Sequence, residues 1–84
     1  MKDLLRFFSL PKQNIVEFNF ILSGYDGMGV VRTLDPDRGL IEVLLAPGFE
    51  KDFNELVARI GAEFDMKEIP KPPESELSIA NESG

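Results

Sequence analysis

The sequence predicts a two-layer α+β domain, in which one long amphipathic helix covers one face of an antiparallel sheet of three or four strands. Two segments, 15–22 and 40–46, alternate between two sets of side chains with the period of two that is typical of strands. A third segment, 49–64, repeats its large apolar side chains every three or four residues, as an amphipathic helix does. The 84 residues have room for one small domain.

The composition excludes several kinds of chemistry. The chain has no histidine and no cysteine, so it offers no imidazole base, thiolate, disulfide or Cys/His metal site. Nine Lys and Arg against 15 Asp and Glu give a net charge of −6, which disfavours nucleic acid and anionic membrane surfaces as partners. The apolar stretches fall short of the roughly 18–20 residues of a membrane-spanning helix. We therefore expect a cytoplasmic protein that is not an enzyme and needs no cofactor or metal.

We divide the chain into an N-terminal apolar segment at 1–13, an α+β domain at 14–69 and a disordered acidic tail at 70–84. The tail holds three prolines, three serines and three glutamates, and is too poor in apolar residues to offset the entropy of ordering. The N-terminal segment is apolar except for a few charges, and we interpret it as a possible interface arm.

The segment after the first predicted strand has two interpretations. In the first, a glycine-rich turn leads into a strand at 30–34, and residues 36–39 turn the chain into the strand at 40–46. In the second, a short helix at about 24–34 begins at Ser23, which gives the order βαβαβ. The three glycines of the segment oppose a helix and its β-branched residues favour a strand, so we favour the hairpin.

The predicted helix begins after Pro47 and Gly48, which end the preceding strand. Its first turn contains Glu50 and Asp52, where the helix dipole favours negative charge. We expect a short edge strand at 66–69, which Pro70 ends.

One helix leaves one face of the sheet uncovered, and that face is about half apolar. A hydrated face of an antiparallel sheet normally carries polar side chains, and a contiguous apolar surface marks an interface. We therefore expect a homodimer, or an N-terminal arm exchanged between subunits. The predicted interface residues are Leu4, Leu5, Phe7, Phe8, Leu10, Ile15, Ile21, Leu40 and Leu44.

The glycine-rich stretch 24–29 is the candidate ligand site. Glycines let a backbone approach a ligand closely, and successive N–H groups can bind an anion. The spacing matches neither the Walker pattern nor the dinucleotide fingerprint, so a purely structural turn is the alternative. The predicted ligand-binding residues, for an amino-acid-like or small anionic effector, are Gly24, Tyr25, Asp26, Gly27 and Arg32.

Two further groups have structural interpretations. Arg32 is the one charged residue in its predicted strand and can pair with Glu17 or Glu42 across the sheet. Asp35 and Asp37 flank Pro36 and are interpreted as solvated turn residues, because the oxygen ligands of a calcium loop are missing.

The run GYDGMGVVRTLDPDRGLIEVLLAPG and the helix from Phe49 resemble a small bacterial family known as a domain of unknown function, over about residues 15–64. That resemblance implies no activity, cofactor or site residues. The order of elements is also similar to ACT-type regulatory domains. This second resemblance implies a ferredoxin-like fold, dimerisation through sheets, and an effector site at the loop of Gly24, Tyr25, Asp26 and Gly27.

Taken together, these features predict a non-catalytic interaction or regulatory module that acts as a homodimer. The alternative is a small-molecule binding domain that uses the loop at 24–29.

Overall fold

The computed structural model describes residues 4–73. Its elements are β1 (Leu4–Ser9), α1 (Lys12–Ser23), β2 (Gly29–Asp35), β3 (Leu40–Leu45), α2 (Glu50–Ile60) and β4 (Lys67–Ile69). The four strands form one sheet in the order β2-β3-β1-β4, and each neighbouring pair is antiparallel. This is the βαββαβ plan of ferredoxin-like domains. The predicted α+β class and antiparallel sheet are confirmed. From residue 74 onward, the predicted tail lies outside the described residues.

The strand predicted at 15–22 is wrong, because this segment lies inside α1. Ile15, Phe18 and Leu22 are buried at the spacing of one helix face. Val16 and Phe20 are 76% and 77% exposed on the opposite side. Apolar residues on both sides of this helix imitate the alternation of a strand. As a result, two helices of 12 and 11 residues cover the sheet, in place of one long helix.

Residues 4–9 are the strand β1, which lies between β3 and β4 in the sheet. Phe8 and Leu10 are buried in the main core, and Phe7 is buried on the other face of the sheet. The structure therefore places the segment interpreted as an arm within the domain, which begins well before residue 14. Apolar residues on both faces of β1 hide the alternation by which a half-buried strand is recognised.

The hairpin interpretation of the next segment is confirmed, and the alternative helix at 24–34 is wrong. β2 and β3 pair from Gly29↔Leu45 to Asp35↔Leu40, with an irregularity between Thr33 and Asp35. The carboxylate of Asp35 accepts hydrogen bonds from the backbone N–H groups of Asp37 and Arg38, at 3.2 and 3.3 Å. Asp35 is itself buried, so it organises the turn from within.

A helix is present where the sequence predicts one at 49–64, although it ends earlier, at Ile60, and the predicted edge strand is confirmed. α2 is followed by turns at residues 61–65, and β4 then pairs with residues 7–9 of β1. The side-chain amide of Asn14 on α1 donates a hydrogen bond to the carbonyl of Phe64 at 3.0 Å. That bond ties the first helix to the segment that follows the second.

The main core lies between the two helices and one face of the sheet. Buried side chains from both helices and from the sheet belong to one cluster there. The rings of Phe8 and Phe53 meet edge to face at 5.8 Å, a favoured geometry for aromatic pairs. Burying each large apolar side chain of this kind stabilises the fold by about 1.5–3 kcal/mol. The opposite face of the sheet has no helix against it in the described chain.

Candidate functional site

The face of the sheet that points away from the helices, here called the open face, carries its side chains in rows across the strands. Residues that oppose each other in an antiparallel ladder lie on the same face. The register therefore defines three rows, which are Val30–Leu44–Leu5, then Arg32–Glu42–Phe7–Ile69, then Asp35–Leu40–Ser9–Lys67.

Part of the open face is buried in the single chain. Phe7, Leu34 and Leu40 form a second buried cluster, and Ile69 packs against it. The first row differs: Val30 is 64% exposed and Leu5 is 45% exposed. We call the three residues of this first row, Leu5, Val30 and Leu44, the apolar row.

A shallow depression of about 170 Å³ adjoins the apolar row. It is lined by Val30 and Leu44 together with Gly27, Gly29 and Ala46. Two glycines of the candidate stretch, Gly27 and Gly29, therefore lie beside the exposed apolar surface.

The second row contains an ion pair. The Nε of Arg32 lies 3.3 Å from a carboxylate oxygen of Glu42, its partner in the register. The prediction that Arg32 pairs across the sheet is confirmed. Arg32 belongs to the open face and does not line the depression at Tyr25 described below.

The loop between α1 and β2 forms a separate depression of about 240 Å³ with α2. The Tyr25 hydroxyl accepts a hydrogen bond of 3.0 Å from the Arg59 guanidinium. The loop itself is a turn, in which the N–H of Met28 bonds the carbonyl of Tyr25 at 3.1 Å and Gly27 has a φ of 77°. The full lining is Tyr25, Asp26, Met28, Phe49, Asp52, Glu55 and Arg59.

The charges of this depression are mostly negative. Three carboxylates, those of Asp26, Asp52 and Glu55, accompany the guanidinium of Arg59. A field of this sign opposes a purely anionic effector and favours a ligand that carries an amine. Of the predicted ligand residues, Tyr25 and Asp26 line the depression, whereas Gly24 and Gly27 do not.

The predicted interface residues divide between the two faces of the sheet. Four of them lie on the open face: Leu5, Phe7, Leu40 and Leu44. The other five belong to the main core or pack against it: Leu4, Phe8, Leu10, Ile15 and Ile21. Val30 completes the apolar row and was not among the predicted residues. Val30 lies two residues before the charged Arg32, so the two share one face of β2, and this spacing is the signal by which it could have been found.

Residues 4–73 contain neither a metal-binding cluster nor a membrane-spanning helix. Within that range, no group of three acidic side chains is arranged to hold a metal ion. Neither described helix has the length and hydrophobicity that a membrane crossing requires.

Comparison with known proteins returns one family and no individual relative. No curated protein and no solved structure matches the chain. A family described as "Domain of unknown function (DUF4911)" matches residues 8–63, which is 56 of the 84 residues and extends from β1 to the turns after α2. The predicted resemblance to a domain-of-unknown-function family is confirmed, and the chain belongs to this family.

Proposed function

We propose that this domain is a non-catalytic interaction or regulatory module that acts as a homodimer, and that the sheet carries the interface. The apolar row is the observation that supports this proposal. Two β-strand side chains in it, Val30 and Leu5, are 64% and 45% exposed beside a cluster that is already buried. Removing apolar surface from water is favourable by about 25 cal/mol per Å², and such patches commonly mark interfaces.

A second copy is the occupant that the charges favour. The whole chain carries a net charge of −6, so most surfaces of two copies repel each other. The open face carries equal numbers of positive and negative charges, because Arg32 and Lys67 accompany Glu42 and Asp35. Two copies therefore meet with little repulsion where this part of the sheet takes part in the interface.

The proposal is tested by replacing one exposed valine at a time. Val30→Lys places a charge in the apolar row, and Val16→Lys is the matched control on the exposed side of α1. We expect the Val30 variant to be a monomer by light scattering at about 100 μM, whereas the wild type and the Val16 variant are dimers at this concentration, at which a micromolar complex is well populated. Equal masses for both variants would contradict the proposal.

A second candidate function is the binding of a small amine-bearing molecule, such as an amino acid, at the depression of Tyr25. The cavity and its carboxylates support this candidate, and the Arg59 guanidinium offers a partner for a ligand carboxylate. A panel of amino acids, amines and anions is the test. A ligand that binds the folded state raises the melting temperature, and Asp52→Asn should reduce that rise.

A further inference from the structure

The two edges of the sheet differ in how they are protected. β4 has three residues, its Lys67 and Glu68 are exposed, and Pro70 follows it directly. Short length, charge and proline are the features that keep an edge from pairing with another strand. β2 has seven residues without proline or lysine, and Val30 and Val31 lie in its first half. In the described chain β2 pairs with β3 alone, so its outer edge is a template for a further strand.

The hydrogen bonds of the hairpin show which groups of β2 face outward. The carbonyl of Met28, just before β2, accepts a bond of 2.9 Å from the N–H of Ala46, just after β3. In an antiparallel ladder, alternate residues bond the same neighbour. Val30 and Arg32 therefore direct their N–H and C=O groups to β3. The groups that point away from β3 are those of Gly29, Val31 and Thr33.

We propose that β2 of one copy pairs antiparallel with β2 of a second copy of this chain, about a two-fold axis at Val31. The two four-stranded sheets then form one sheet of eight strands. This inference rests on the proposed function and deepens it, because it names the line along which the copies meet. Of the apolar row, it brings Val30, the more exposed residue, into the contact, whereas Leu5 lies two strands away from it. About the axis at Val31, each outward group of one copy faces an outward group of the other, with Gly29 opposite Thr33. This register forms about six hydrogen bonds between the two backbones.

Neighbouring registers are less favourable. An axis at Arg32 would set two guanidinium groups directly opposite each other, and like charges in that position destabilise a sheet. An axis at Val30 would move Thr33 beyond the start of the partner strand at Gly29. The axis at Val31 uses the whole regular part of β2, which ends at the irregularity between Thr33 and Asp35. It also brings together two β-branched valines, a favourable cross-strand pair.

The register is tested by cross-linking, which this chain suits because it has no cysteine of its own. An axis at Val31 places Val30 of one copy opposite Arg32 of the other, at the Cα separation of about 4.5 Å that a disulfide can span. We expect an equimolar mixture of Val30→Cys and Arg32→Cys proteins to form a cross-linked dimer on mild oxidation. A mixture of Val30→Cys and Leu5→Cys is the matched control, and we expect it to remain uncross-linked.

A second pair of variants tests the edge without oxidation. Thr33→Pro removes an outward N–H group, and proline is tolerated on an edge strand whose N–H faces solvent. We expect this variant to weaken dimerisation at least tenfold, and Leu5→Lys, on the open face of β1, to leave it within twofold. If Leu5→Lys dissociated the dimer and Thr33→Pro left it intact, edge pairing would be overturned in favour of face-to-face stacking. The proposed function would still stand in that case. A wild-type protein that stays monomeric would overturn both.

Discussion

Arg6 and Glu68 form a bidentate ion pair that joins the central strand β1 to the edge strand β4. The Nε and Nη2 atoms of Arg6 donate hydrogen bonds to the two carboxylate oxygens of Glu68, at 2.5 and 2.9 Å. The guanidinium also lies 5.4 Å from the centre of the Phe53 ring and 5.8 Å from that of Phe8. The hydrogen bond from Arg6 lowers the pKa of Glu68, against a smaller opposing effect of burial. A strand of three residues is thereby held to the sheet by more than its backbone bonds.

This ion pair predicts how stability depends on pH. Because the folded-state pKa of Glu68 lies below its ordinary value of 4.5, its contribution is fully present above that value. It is lost as the pH falls through the lower, folded-state pKa. The Glu68 side chain is 48% exposed, so solvent screening limits the contribution to roughly 0.5–1 kcal/mol. Urea unfolding at pH 7 and at acidic pH should show Glu68→Gln losing stability at pH 7 and the difference from wild type shrinking in acid. A difference that does not depend on pH would contradict this role.

Replacing each of two phenylalanines of α1 by alanine should change the free energy of unfolding by very different amounts. Phe18 is fully buried, and Phe18→Ala should reduce the free energy of unfolding by about 3–5 kcal/mol, since a cavity remains in the core. Phe20 is 77% exposed, and Phe20→Ala should change that free energy by less than about 0.5 kcal/mol. Denaturant unfolding of the two variants measures the difference. Similar losses would indicate that residues 15–22 form a strand with both phenylalanines on one face.

Two glycines with positive φ predict different costs for alanine. Gly39 has a φ of 69°, and an added Cβ would collide with the backbone carbonyl of Leu10. Gly27 has a φ of 77°, and nothing lies within 4 Å of its Cβ position. Gly27→Ala should therefore cost about 1 kcal/mol from backbone strain alone, whereas Gly39→Ala adds a steric clash and should cost clearly more. Thermal unfolding of both variants measures the two costs, and equal melting temperatures would show that the contact with Leu10 does not constrain the turn.

Local sequence signals predict the second half of the domain well. The turn residues around Asp35 and Gly39, the alternation in β3 and the helical spacing from Phe49 each have one physical explanation, and the structure confirms the elements they predict. These signals suffice because the turns have a specific chemistry and because β3 and α2 bury most of their large side chains on one side, so that their periods are visible in the sequence.

The first half is harder to predict because its elements have apolar residues on more than one side. Val16 and Phe20 are exposed on α1, which makes a helix resemble a strand. β1 has apolar residues on both faces, and Arg6 on its helix side is compensated by Glu68, which is 62 residues away in sequence. A pairing over such a distance leaves no local pattern. The sequence predicts a sheet face that is about half apolar, but which residues lie on that face and are exposed depends on the register of all four strands.

Self-association is the central claim, and sedimentation velocity of the wild-type protein over a concentration series tests it most directly. We predict a sedimentation coefficient that rises with concentration to that of a dimer of two 9.4 kDa chains. A coefficient that stays at the monomer value up to about 1 mM, where only complexes weaker than about 4 kcal/mol would escape notice, would contradict it.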